Sequence, residues 1–235
     1  MPDPSRSLAV VPARGGSKRI PSKNIRELSG RPLIAYTIDA ALESGVFERV
    51  VVSTDDPAIA EVARAAGAEV PFLRPAELAD DHAPSSLVTL DALTRLDPDG
   101  TTYASVAQLL PTCPLRDAAD VRASLDAFRS DDRSFQISVV PFGWLDPWWA
   151  LQLGNDDEVT PLFDEPLTRR SQDLPELFCP TGAIWWARSP ALRRERTFYG
   201  PGVRGFPIPW QHGVDVDTLD DLAMARALLA MRRGQ

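Results

Sequence analysis

Lysine is almost missing from this 235-residue chain: there are two, Lys18 and Lys23, against twenty-three arginines. Both fall in one glycine-containing stretch, residues 8–24 (LAVVPARGGSKRIPSKN), which suggests a local need for compact cations rather than planar guanidinium groups. Cysteine is nearly as scarce. Cys113 and Cys179 lack metal-ligand spacing and are too few for a disulfide framework, so both read as reduced and structural. Long apolar runs are absent too. The N-terminal one covers residues 8–12, too short for a signal-peptide core, and none approaches the ~20 residues of a membrane span. The expectation is a soluble cytoplasmic protein. Positive charge is in deficit, 25 basic against 33 acidic residues with pI ≈ 4.8, which excludes an extended nucleic-acid surface. Neither G-x-x-x-x-G-K-[ST] nor G-x-G-x-x-G occurs, so a P-loop ATPase and a dinucleotide-binding domain are disfavoured.

What is present is the material of one α/β domain, 1–235, with 44% hydrophobic residues. Ala9-Val10-Val11 reads as a buried strand ended by Pro12. Residues 32–44 carry Leu33, Ile34, Ile38, Ala41 and Leu42 at helical spacing and stop at Gly45. A strand at 50–53, a helix at 57–66, a short strand at 69–72, a helix at 85–96 and a strand at 103–110 follow, then a helix at 117–129. Such alternation implies a mainly parallel sheet covered on both faces. Ligands then sit beyond the carboxyl ends of strands, where Arg14, Ser53-Thr54-Asp55-Asp56 and Pro111-Thr112 fall. Around 142–180 the texture changes to an inserted hairpin, with Phe142, Trp144, Trp148 and Trp149 around two prolines and a turn at 154–158. Its tryptophans are either core or a subunit interface. The last helix spans 220–231.

Two features carry chemistry. Residues 14–31 hold Arg14, Lys18, Arg19, Lys23, Arg26 and Arg31 against the single acid Glu27, in a chain of net charge −8. With Gly15-Gly16 free to take positive φ and approach a ligand, the loop suits phosphate, although an ordinary turn and a solvated basic face are the plain alternatives. Near the C-terminus Asp215 and Asp217 alternate with Val214 and Val216, so an extended backbone projects both carboxylates to one side. Mg²⁺ between them would relieve their repulsion; the alternative is a helix N-cap by Asp217 or Thr218. A small anionic substrate in a basic pocket, with metal-assisted nucleotide chemistry, fits both features.

The ordered motifs Ala13-Arg14-Gly15-Gly16-Ser17-Lys18-Arg19-Ile20-Pro21-x-Lys23-Asn24, Ser53-Thr54-Asp55-Asp56, Phe72-Leu73-Arg74-Pro75-Ala76-Glu77-Leu78, Pro111-Thr112-x-Pro114-Leu115-Arg116, Gln172-Asp173-Leu174-Pro175, Gly182-Ala183-Ile184 and Asp215-Val216-Asp217-Thr218 span nearly the whole chain. They resemble the acylneuraminate cytidylyltransferases. The resemblance implies a Rossmann-like three-layer sandwich, CTP as donor, Mg²⁺, release of pyrophosphate, and a homodimer built partly through the hairpin. It also implies that Arg14, Ser17 and Lys23, in a loop with Ala13, Gly15 and Gly16, hold the CTP phosphates. Asn24, Arg74 and Ser85 would line the nucleotide pocket, with Arg74 near the cytosine, and Asp215 and Asp217 would hold the metal. Thr112, Arg116 and Arg170 would serve the substrate, the two arginines in the acceptor pocket.

The acceptor half departs from the pattern. Leu110 stands where sialic acid synthetases usually have glutamine, and no lysine follows Lys23. Arg169-Arg170-Ser171 resembles the pseudaminic branch, whereas Gly182-Ala183-Ile184 resembles the sialic one. The acceptor implied is a nonulosonic sugar; the alternatives are a small phosphonate such as phosphonoformate, or a nucleotide-binding paralogue without catalysis.

Overall fold

The computed structural model describes residues 3–80, 83–130, 132–143, 145–164 and 168–233. Its centre is the strand β1 (Asp3–Pro12), in which Ala9 and Val11 face one core cluster and Leu8 and Val10 the other. Burial on both faces is what a run without polar alternation dictates. β1 pairs in parallel with β4 (Arg49–Ser53) on one side and β5 (Tyr103–Gln108) on the other. The sheet has six strands in the order β10-β6-β9-β5-β1-β4, adding β6 (Phe135–Pro141), β9 (Phe178–Arg188) and β10 (Arg204–Pro207). β9 runs antiparallel to both neighbours.

Helices cover each face as the pattern requires. α1 (Leu33–Ser44), α2 (Pro57–Ala65) and α4 (Ala118–Arg129) supply Ile34, Ile38, Ile59, Ala63, Leu125 and Phe128 to the cluster that contains Ala9 and Val11. On the other face α3 (Ser85–Leu96) and α5 (Ser189–Glu195) bring Leu90, Leu93 and Leu192 against Leu8 and Val10. α1 begins one residue after Pro32 and ends at Gly45, whose φ of 68° suits glycine. A third cluster joins Ile20, Leu28, Leu33 and Leu115 to Val216, Leu222 and Leu229, and so docks α6 (Leu219–Arg233) near the loop that follows β1.

One expected element is not formed. Residues 69–72 form no strand: only single bridges, Val51 to Glu69 and Thr54 to Leu73, tie them to the sheet edge. Pro71 lies between the bridges and has no amide hydrogen to donate. A short antiparallel pair, β2 (Glu27–Leu28) and β3 (Arg31–Pro32), was unforeseen. The hairpin is present as β7 (Leu151–Leu153) and β8 (Val159–Pro161), closed by a bond from the Gly154 amide to the Glu158 carbonyl at 2.7 Å. It forms a sheet of its own. Its two described tryptophans are not core: Trp148 stacks edge-on against Phe163 at 5.3 Å and donates to the Pro175 carbonyl at 2.9 Å, and Trp149 is exposed. Trp144 lies outside the described residues.

Candidate active site

A cleft opens beyond the carboxyl ends of β1 and β5, lined by Pro12, Arg14, Ser17, Lys23 and Asn24 from one side. Arg74, Leu78, Asp80, Ala83, Ser85, Val88, Leu110, Pro111 and Thr112 complete it. The loop after β1 starts where the Ala13 amide donates to the Ser53 carbonyl at 2.9 Å, the last tie to β4. Buried Ile20 anchors it in the third cluster, and buried Asn24 donates from its side-chain amide to the Arg14 carbonyl at 2.9 Å. The loop is thereby held from within by an amide that also faces the cleft. Neither Gly15 nor Gly16 takes positive φ, contrary to expectation. Gly15 is needed for closeness instead, since a Cβ there would lie 2.7 Å from Asp56 Oδ2. Gly16 has open space around it.

Asp55 fixes two of these elements at once. Its Oδ1 accepts from the Gly15 amide at 3.2 Å and from Arg74 Nη2 at 3.2 Å. Arg74 is buried, and the Arg74 amide donates to the Thr54 carbonyl at 2.7 Å, so both backbone and side chain are anchored. Burial lowers the Arg74 pKa and the Asp55 carboxylate opposes that shift. Asp56 caps α2 by accepting from the Ala58 amide at 2.8 Å. The role of Asp55 was missed in the sequence, although two acids directly after a strand were a visible signal.

The acidic pair sits against the loop, not across the cleft from it. Val216 is buried and its amide donates to the Thr112 carbonyl at 2.7 Å, which leaves the flanking carboxylates on the outer side. Lys23 Nζ meets Asp217 Oδ1 at 2.8 Å and Arg19 meets Asp217 Oδ2 at 3.0 Å. For Asp217, burial raises the pKa but the Lys23 hydrogen bond and the charges of Lys23 and Arg19 outweigh it, so the carboxyl is held below its usual range. Asp215 is raised instead, first by burial and then by the charge of Asp217, against a hydrogen bond from Thr112. The capping alternative is also realised, through Thr218 and not through Asp217. Thr218 accepts from the Asp221 amide at 3.2 Å while Asp221 accepts from the Thr218 amide at 2.7 Å, leaving Asp217 to the cations.

Of the residues expected at the substrate, Ala13, Gly15, Gly16, Arg116 and Arg170 do not line this cleft, and neither do Asp215 and Asp217. Arg116 is buried beneath it, donates to the Leu110 carbonyl, and has its pKa lowered by burial to about 10. It braces the loop carrying Pro111 and Thr112 from behind. Arg170 is exposed in the hairpin region and pairs with Asp173 at 2.8 Å. Among the described residues, the grouping of three candidate metal ligands is Asp117, Asp120 and His212. It is accounted for by the capping box of α4 and by a 2.6 Å bond from His212 Nδ1 to Asp120.

Residues 8–103 match the family described as Cytidylyltransferase. The chain is 36% identical over 224 residues to a pseudaminic acid cytidylyltransferase of Campylobacter jejuni, covering 95% of this chain and 96% of that one. It is 34% identical over 230 residues to a CMP-N,N'-diacetyllegionaminic acid synthase of Legionella pneumophila, covering 97% and 98%. In fold it resembles a solved CMP:2-keto-3-deoxy-manno-octonic acid synthetase, with a TM-score of 0.72 at 19% identity over 97% of this chain and all of that one. No helix among the described residues is long and apolar enough to cross a membrane. The motifs, the cleft at the strand ends and these likenesses agree: the chain belongs to the acylneuraminate cytidylyltransferase family and is a nucleotidyltransferase.

Proposed function

We propose that the protein transfers CMP from CTP to an acidic nonulosonic sugar and releases pyrophosphate. The observation that supports this is the meeting of Lys23, which lines the cleft, with Asp217 at 2.8 Å, a cation suited to phosphate beside a carboxylate suited to a metal. Arg14, Ser17 and Lys23 bind the triphosphate there, while Asn24, Arg74 and Ser85 line the nucleoside end. An acceptor hydroxyl gives its proton to water as its oxygen bonds to the α-phosphorus. The bond from that phosphorus to the bridging oxygen breaks, and pyrophosphate leaves with the electron pair. Lys23 and Arg14 offset charge on the departing group, and the rest of catalysis is positioning.

Asp215 and Asp217 are the residues that would hold Mg²⁺. The pair offers hard oxygen donors, the charge of Asp217 adds to burial in raising Asp215, and two carboxylates with substrate phosphates suit this ion. When bound, Mg²⁺ supplies Lewis-acid charge stabilisation to the phosphates. The nonulosonic acceptor rests on the activities named for the two relatives. Leu110, an apolar side chain in the cleft lining, supports the second reading, a small phosphonate acceptor such as phosphonoformate.

A homodimer belongs to the same proposal. Leu151, Leu153 and Val159 leave an apolar face on the hairpin, with Leu153 64% exposed, and a second copy would cover it. Both cysteines are free, in keeping with a cytoplasmic setting.

The test is to incubate the protein with Mg²⁺, each ribonucleoside triphosphate and a panel of nonulosonic acids and phosphonates. Pyrophosphate is measured and the adduct is identified by mass. A CMP-nonulosonate formed from CTP alone is expected. Turnover only with phosphonates would overturn the acceptor, and no pyrophosphate with any pair would overturn the proposal.

A further inference from the structure

Gln108 is chemically out of place. It ends β5 beside Val10 and Trp185, is fully buried, and lies on the same face of the strand as Val106, a member of the apolar cluster under α3. An amide in such a position needs partners at both ends. Both come from one face of α3, four residues apart. Thr89, itself fully buried, donates its hydroxyl to Gln108 Oε1 at 2.8 Å, and Gln108 Nε2 donates to Ser85 Oγ at 3.0 Å. Of the three, only Ser85 lines the cleft.

The order of donors has a consequence. A hydroxyl has one hydrogen; that of Thr89 goes to the amide oxygen, and the amide nitrogen faces Ser85. That nitrogen can only donate, so Ser85 Oγ must accept. The Ser85 hydrogen is left over, and the open side of Ser85 is the cleft. We infer that Thr89 and Gln108 are positioning residues that fix Ser85 as a hydrogen-bond donor toward the ligand, which must present an acceptor atom there. Arg74, on the same lining, is also a donor without acceptor capacity. This wall therefore selects an acceptor-rich edge. The inference rests on the reading that the cleft takes the nucleoside part of CTP.

The test combines a ligand-free measurement with CTP binding. In the unliganded protein, the side-chain amide hydrogens of Gln108 should exchange slowly by nuclear magnetic resonance, and faster in S85A and T89V. Calorimetric titration with CTP should then show S85A binding about tenfold more weakly. T89V and Q108M should each lose about three- to tenfold although neither side chain reaches the ligand. Their effect should fall on KM for CTP rather than kcat, and should vanish when either is combined with S85A. Equal losses with and without the Ser85 hydroxyl would overturn the inference in favour of a structural role. So would a folded T89V protein with unchanged CTP affinity, which guards against Q108M failing to fold. Amide exchange that ignores both substitutions would overturn it whatever the ligand. Exchange that responds as expected in a protein that binds no CTP would uphold the relay and sink the nucleotide reading instead.

Discussion

The cleft and the hairpin use similar residues in opposite ways. In the cleft, polar groups are tied across long stretches of chain: Lys23 meets Asp217, 194 residues away, and the Gly15 amide meets Asp55, 40 away. In the hairpin the ties are short. Arg170 pairs three residues on with Asp173, and β7 bonds only to β8. Long-range ties set charged groups against the ends of a rigid sheet, which is the condition for binding a triphosphate without reorganisation. Short-range ties hold the hairpin's own shape and leave its apolar face to be buried by something else. Arginine therefore works inside this protein as a fixed electrostatic element and on the hairpin as a solvated charge.

The comparison breaks most sharply at the acidic pair. Asp215→Ala should lower kcat/KM for CTP by about 10³-fold or more while circular dichroism stays unchanged, because charge stabilisation at the phosphates is the main catalytic contribution. Near-normal activity with Mg²⁺ would show that long-range ties to Asp217 alone carry the site. Adjacent glycines give the next test. Gly15→Ala brings a Cβ 2.7 Å from Asp56 Oδ2, so the loop or the cap of α2 must move, and CTP affinity should fall by about 10- to 100-fold. Gly16→Ala enters open space and should change affinity by less than about twofold.

A pinned carboxylate away from the cleft separates stability from function. Asp97, 2% exposed, follows α3 and accepts from the Thr101 and Thr102 amides at 2.9 and 3.0 Å. Burial would raise its pKa, but these bonds outweigh that and hold it below the ordinary carboxylate value. The folded protein therefore binds fewer protons than the unfolded chain just below pH ~4, and stability rises with pH in that window. The contribution is complete above the unfolded value and is lost as pH falls through the folded one. Asp97→Asn should cost about 1–3 kcal/mol in urea denaturation at pH 7, flatten the acid limb of the stability curve, and leave CTP affinity unchanged.

How much of this is legible in the sequence depends on range. The buried strands and the helices announce themselves through their apolar periods, as in Ala9 to Val11 and in Leu33, Ile34, Ile38 and Ala41. The residues lining the cleft are legible as motif positions: Arg14, Ser17, Lys23, Asn24, Arg74, Ser85 and Thr112 all converge. Strand direction is not local information, so the antiparallel course of β9 was invisible. Residues 69–72 look like a strand by composition, yet Pro71 leaves only isolated bridges. Arg116 misleads because a charge suggests an accessible surface, whereas this guanidinium is buried and bonded to a backbone carbonyl. Asp55 and Gln108 matter only through partners that folding brings together.

The smallest effect is expected at Arg170, and it bears on the hairpin. Its guanidinium is 73% exposed and its Asp173 partner lies on the same short turn, so the pair adds little to stability. Arg170→Ala should leave CTP affinity within about twofold of the parent protein, since the side chain does not line the cleft. KM for the acceptor is the sharper readout. A rise in that constant, lost in a Leu153→Asp variant that sediments as a monomer, would mean that Arg170 serves the cleft of a second copy. An unchanged KM would confine substrate recognition to the long-range network and leave the hairpin as an assembly surface alone.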